Sequence, residues 1–122
     1  MSTIIATTLS NGSVSVPTAT VVNGSAKAFL KVDQRSTQAI LGSFNVSSIT
    51  DFGIFRTTMT FSSAMDNANY SPAGGTNYTV AQYSQFQFDD TLTTSCGILN
   101  SPDANQSNAD GVISCVIHGD LA

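Results

Sequence analysis

Apolar and polar residues alternate in short runs along the chain, and turn-forming residues separate these runs. Within residues 26–33, Ala26, Ala28, Leu30 and Val32 share one parity, while Lys27, Phe29 and Lys31 have the other. Successive side chains of a β-strand point to opposite faces, so a period of two predicts strands with one buried face. The pattern therefore predicts an antiparallel β protein.

Runs of this kind predict strands at residues 14–22, 26–33, 37–46, 47–50, 54–61, 77–83, 91–99 and 112–118. The Asn23-Gly24 pair predicts a tight hairpin, because both central residues of a type I′ turn need positive φ. Pro72 and the Gly74-Gly75 pair are expected to prevent a strand at 70–75. We expect one all-β domain at residues 17–122, an antiparallel β-sandwich or a jelly-roll-like variant, preceded by an attachment segment at residues 1–16.

The composition narrows the class of protein. Only 10% of the residues are charged and the net charge is −4, whereas ordinary domains have roughly 25% charged residues. This argues against a coiled coil and against a basic surface for nucleic acid. No apolar run approaches the roughly 18 residues of a membrane span. The first residues also lack the basic and apolar regions of a signal peptide, so we expect synthesis in a cytoplasm.

Strand faces rich in hydroxyl residues predict an oligomer. The chain contains 17 Ser and 15 Thr residues. Strand faces made of such residues offer little apolar surface to cover both sides of a small sandwich. Identical subunits can cover each other's faces and strand edges. We therefore expect a homo-oligomer.

Few residues could carry chemistry, so we expect no enzyme, no cofactor and no metal site. His118 is the sole histidine of the sequence and lies near the end of the last predicted strand. Cys96 and Cys115 fall in the last two predicted strands, and a symmetric hairpin would make them cross-strand neighbours. They are a candidate thiol pair. A disulfide is one alternative, and two small buried apolar side chains are the favoured one.

Three segments resemble a family of bacteriophage virion proteins, the tail-fibre-like or appendage modules of phages of aquatic bacteria. The segments contain Lys27-Ala28-Phe29, the stretch Ser-Phe-Asn-Val-Ser-Ser-Ile-Thr-Asp at 43–51, and Ala-Met-Asp-Asn-Ala-Asn-Tyr at 64–70. Phe29 stands where a Trp is common in the family. The resemblance covers residues 24–70.

The resemblance implies a non-enzymatic, β-rich structural protein of the virion that is a homotrimer. It also implies contacts with other virion proteins of the tail, neck or capsid, and with a glycan or protein of the host surface. The alternative is a capsid-decorating (cement) protein that stabilises the shell. The loops at 62–75 and 100–110 are the expected outward contacts, with Tyr70, Tyr78 and Asn105 as candidate contact residues, because loops on rigid scaffolds commonly carry recognition. For Tyr70 and Tyr78, simple packing is the equal alternative.

Overall fold

A computed structural model describes residues 2–53, 56–77, 84–102 and 111–122. Among these residues one short helix, α1, is Thr18–Gly24. The strands are β1 Thr8–Ser10, β2 Ser15–Pro17, β3 Ala28–Asp33, β4 Ala39–Phe44, β5 Val46–Asp51, β6 Arg56–Phe61, β7 Ser71–Asn77, β8 Ser84–Leu92, β9 Ser95–Pro102 and β10 Val112–His118.

Two four-stranded antiparallel sheets form a β-sandwich. The first sheet has the order β4-β3-β10-β7, and the second has the order β5-β6-β9-β8. The strands β1 and β2 form a separate hairpin before the sandwich. The predicted all-β sandwich is confirmed, and the trimer stays a prediction.

The core lies between the sheets and follows the alternation of the strands. Ala28, Leu30 and Val32 of β3 are at most 1% exposed, as the parity of that run predicts. The inward residues of β10, β6 and β9 complete this layer: Ile113, Cys115, Ile117, Met59, Phe61, Cys96 and Ile98. Each inward residue has an outward neighbour, so the same alternation also decides which side chains the two outer faces carry.

Asn45 transfers the chain from the first sheet to the second. Its φ of 54° lies in the left-handed region, which asparagine tolerates better than most residues. Its side-chain amide donates to the carbonyl oxygens of Lys27 and Ser63, at 3.0 Å each, and its Oδ1 accepts from the Ser63 N–H at 2.7 Å. The 43–51 motif is thus the end of β4, this crossover and β5.

The predicted strand at 14–22 and its hairpin at Asn23-Gly24 are wrong. The strand pairing ends at Pro17, which has no N–H to donate to a further strand. The chain then forms α1, and the Ser25 N–H closes its last turn on the Val21 carbonyl at 3.1 Å. The first strand of the sandwich is β3.

The expectation that 70–75 contains no strand is also wrong. Ser71–Asn77 forms β7, which pairs with β10 in continuous register. Because β7 is the edge strand of the first sheet, Pro72 and the two glycines are tolerated there.

The predicted hairpin of the last two strands does not form. β9 pairs with β8 and β6, whereas β10 pairs with β3 and β7 in the other sheet. Thr93 and Thr94 make the turn between β8 and β9, inside the strand predicted at 91–99. Cys96 and Cys115 therefore belong to opposite sheets.

Candidate interaction surface

Residues 2–25, here called the N-terminal arm, have no core of their own. No arm residue is buried, and the arm contains no charged side chain. Several apolar side chains are nevertheless exposed, among them Ile4 (91%), Ile5 (95%) and Val14 (63%). Uncharged, exposed apolar surface of this kind favours contact with another chain.

The arm joins the sandwich through a fixed connection. Lys27 is 8% exposed, and its Nζ donates to the Val22 carbonyl and, at 2.9 Å, to Ser25 Oγ. The Lys27 N–H also donates to the Ile117 carbonyl at 2.8 Å. One lysine thus ties the end of α1 to the first sheet, because its ammonium caps carbonyl and hydroxyl oxygens at the helix C-terminus.

The outer faces of the two sheets differ in chemistry. The outer face of the second sheet carries hydroxyl side chains across three strands: Ser48, Thr50, Thr58, Thr60 and Ser95. The first sheet instead carries an apolar row that crosses all four strands in register: Phe44, Phe29, Val116 and Ala73. Phe29 and Phe44 stack with ring centroids 6.3 Å apart, and they are 43% and 53% exposed. The outer face of the first sheet is therefore the better suited of the two to apolar contact with another chain.

A shallow trough of about 510 Å³ runs beside this row. It is lined chiefly by Phe29, Lys31, Ala73, Gly75, Ser114 and Val116. Glycine and serine leave room above β10 and β7, while Phe29 forms a wall. Among these lining residues Lys31 is the one with a charge, and its alkyl stem can lie along apolar surface while the ammonium stays in water.

Tyr70 is not a surface contact, contrary to the prediction. It is 7% exposed and packs edge-on against Phe61, with ring centroids 5.8 Å apart. Its hydroxyl lies 3.1 Å from the Leu92 carbonyl and 2.8 Å from the Ser95 carbonyl. Burial raises the pKa of Tyr70. The 62–75 segment folds inward here because an aromatic ring with a satisfied hydroxyl is stable in a core.

The other two predicted contacts, Tyr78 and Asn105, lie outside the described residues. His118 is half-buried at the end of β10, opposite Ser71, as expected of a strand-end histidine. The exposed Phe29 is not among the predicted contact residues, although its parity opposite Ala28 and Leu30 indicates an outward position.

Cys96 and Cys115 are both buried and free. They are not cross-strand neighbours. Cys96 pairs in register with Met59, and the Cys115 Sγ lies 3.9 Å from the Met59 Sδ across the core. Burial raises the pKa of Cys96 to about 11 and that of Cys115 to about 12.

These thiols predict a loss of stability at alkaline pH. Below pH 9.0, the ordinary thiol pKa, both states of the chain keep these protons. Above it the unfolded chain releases them and the folded chain does not, so the free energy of unfolding falls by up to about 1.4 kcal/mol per pH unit for each thiol. Urea denaturation at pH 7, 9 and 10 measures this. The Cys115→Ala variant should show a smaller fall, and rapid labelling of native thiols at pH 8 would contradict the assigned burial.

Asp89 and Asp90 form an ion-pair cluster and not an acid–base dyad. Neighbouring residues of a regular strand point to opposite faces, but the register of β8 shifts between Asp89 and Leu92, and Asp90 has a φ of 45°. Both carboxylates consequently reach the Arg56 guanidinium, at 3.1 and 2.5 Å. The same guanidinium lies 5.3 Å from the centre of the Phe52 ring. The cluster links β6 to β8 across Gly97.

Among the described residues, no helix is long and apolar enough to span a membrane, and no group of three metal-ligating side chains occurs. No family model, no curated protein and no solved structure matches the chain.

Proposed function

We propose that this chain is a non-enzymatic structural protein of a bacteriophage virion, a fibre or appendage module that attaches to the particle through its N-terminal arm. The observation that carries the proposal is the arm itself, where Ile4 and Ile5 are more than nine-tenths exposed within an uncharged segment. Burying such side chains against another protein is favourable at roughly 25 cal/mol per Å². The resemblance of residues 24–70 to virion proteins supports the phage assignment.

The outer faces support an assembly role in the same way. The apolar row on the first sheet suits contact with protein, whereas the hydroxyl-rich face of the second sheet suits exposure to water. A particle component must persist without chaperones, and burial of strand edges between subunits provides kinetic stability. The proposal includes a homotrimer, assembled in the cytoplasm of the host bacterium.

The arm provides the direct test of attachment. A full-length chain with Ile4→Asp and Ile5→Asp is expected to lose incorporation into phage particles, measured by quantitative mass spectrometry of purified particles. Its melting temperature should stay that of the wild type, because both side chains lie in water in the isolated chain. The matched control, Ser10→Asp with Ser13→Asp, adds the same charge at exposed polar positions of the arm and should incorporate normally. Equal incorporation of both variants contradicts attachment through the arm.

The number of copies per particle distinguishes a fibre or appendage module from a capsid-decorating protein. A capsid-decorating protein, the second candidate, is present in many copies spread over the shell, and a fibre in few. The same mass spectrometry, calibrated against the major capsid protein, distinguishes them. Complete absence of the chain from the particles would contradict both.

A further inference from the structure

We propose that the Asn11-Gly12 turn of the arm is a self-modification site, at which Asn11 is converted to aspartate and isoaspartate without an enzyme. The sequence contains two Asn-Gly pairs, at 11–12 and 23–24, and both lie in the arm. Because glycine has no Cβ, nothing hinders attack of its backbone nitrogen on the side-chain amide of the preceding asparagine. The reaction needs only water, so it is independent of the proposed function.

The turn between β1 and β2 folds the Asn11 side chain back over the following peptide. Its Oδ1 accepts the Ser13 N–H at 3.0 Å and the Val14 N–H at 2.9 Å, an arrangement in which an asparagine side chain mimics a backbone turn. The Gly12 nitrogen is part of the ring that these hydrogen bonds close. The ring restricts the torsions that must align for attack, which lowers the entropic cost of the reaction.

The reaction has two steps and balances with water alone. The Gly12 nitrogen loses its proton and forms a bond to Asn11 Cγ, the Cγ–Nδ2 bond breaks, and Nδ2 takes up a proton and leaves as ammonia. Water then opens the resulting cyclic imide at either carbonyl, which gives aspartate or isoaspartate. Each conversion consumes one water and releases one ammonia.

The neighbours of the reacting atoms assist the first step. Negative charge develops on Asn11 Oδ1 during the attack, and the two N–H groups that already bind this oxygen are placed to stabilise it. The Gly12 N–H donates to Ser10 Oγ at 3.1 Å, so this hydroxyl is placed to receive the proton and pass it to water. All residues from 10 to 14 are exposed, so water reaches the turn.

Asn23-Gly24 has a different surrounding, because it lies in the last turn of α1. The Ser25 N–H closes this turn on the Val21 carbonyl at 3.1 Å. A helical backbone holds the ψ of Asn23 in the α region, and closure of the cyclic imide requires a different ψ. The turn must therefore unwind before Asn23 reacts. Folding should speed the reaction at Asn11 and slow it at Asn23.

The modification changes both the charge and the backbone of the arm. Either product gives a negative charge to a segment in which residues 2–25 have none, so anion exchange separates modified from unmodified chains. Isoaspartate also adds a carbon atom to the main chain within the turn of a hairpin that is held by three residue pairs. We expect the β1–β2 pairing to weaken in the isoaspartate form.

The rates at the two asparagines in the folded and the denatured chain test the proposal. The full-length chain is incubated at pH 8 and 37 °C, in buffer and in concentrated guanidinium chloride, and peptide mapping by mass spectrometry follows the exchange of NH for O at each site. We expect Asn11 to react at least threefold faster in the folded chain, and Asn23 at least threefold slower. A rate at Asn11 that is equal or lower in the folded chain overturns the proposal.

Two serine variants separate the effect of the turn from that of the Asn-Gly sequence. Ser10→Ala removes the acceptor of the Gly12 N–H and should slow the reaction at Asn11 at least threefold in the folded chain only. Ser13→Ala is the matched control, because it keeps the N–H that binds Asn11 Oδ1, and it should react at the wild-type rate. Equal rates for the two variants would reject the part assigned to Ser10. Both should keep the wild-type melting temperature, since these serines lie outside the sandwich.

Discussion

Replacing Tyr70 by alanine is expected to lower the free energy of unfolding by about 3–5 kcal/mol, the usual cost of removing a buried aromatic ring. The ring packs edge-on against Phe61 and is 7% exposed. The truncation leaves a cavity between Phe61 and the turn after β8, and it removes the hydroxyl that bonds the Leu92 and Ser95 carbonyls. Urea denaturation followed by circular dichroism measures the loss.

The matched variant Tyr70→Phe keeps the ring and removes only the hydroxyl. It should cost about 1–3 kcal/mol, because the carbonyl oxygens of Leu92 and Ser95 lose the one O–H that they share in a largely buried place. A Tyr70→Ala variant with wild-type stability and impaired adhesion would show that the tyrosine is a surface contact after all. A larger loss of unfolding free energy for Tyr70→Ala than for Tyr70→Phe therefore indicates that the ring packs in the core and does not serve recognition.

Gly97→Ala is expected to destabilise the chain by about 1–3 kcal/mol through overpacking. A Cβ at this position would lie 1.9 Å from Asp89 Oδ1 and 2.9 Å from the Asp89 backbone carbonyl oxygen. The Asp89 side chain can move, but the carbonyl belongs to the ladder between β8 and β9. The second sheet must shift to admit the methyl group, and the ion pair of Asp89 with Arg56 is disturbed at the same time.

Gly75→Ala is the control for this substitution. Gly75 also lies in a strand, but no atom outside its chain neighbours lies within 4 Å of its would-be Cβ. Its substitution should change the free energy of unfolding by less than about 0.5 kcal/mol, as for surface positions in general. Equal losses for the two variants would indicate a general intolerance of strand glycines and not the Asp89 contact.

The two outer faces differ in a way that supports the proposed assembly of a chain with few charges. Hydroxyl groups keep the second sheet in water without directing it to a partner, whereas the Phe29–Phe44 pair offers apolar area on the first. A difference between faces restricts which surfaces meet, and this restriction favours one arrangement of subunits over unspecific aggregation.

The sequence by itself determined the parts that depend on neighbouring residues. The alternation in β3 placed Leu30 inside and Phe29 outside, and β10 was predicted with its observed bounds, 112–118. The uncharged arm and the lack of charge on most strands are likewise visible in the amino-acid sequence. These properties follow from a two-residue period and from side-chain chemistry, which need no knowledge of distant contacts.

The tertiary structure alone decided which strands meet. Phe29 and Val116 are neighbours across the first sheet although 87 residues separate them along the chain. The strands with Cys96 and Cys115 lie in opposite sheets. It also buried Tyr70. Pairing between distant strands depends on how all the apolar faces fit into one core, so local patterns fix the faces of the strands and leave their partners open.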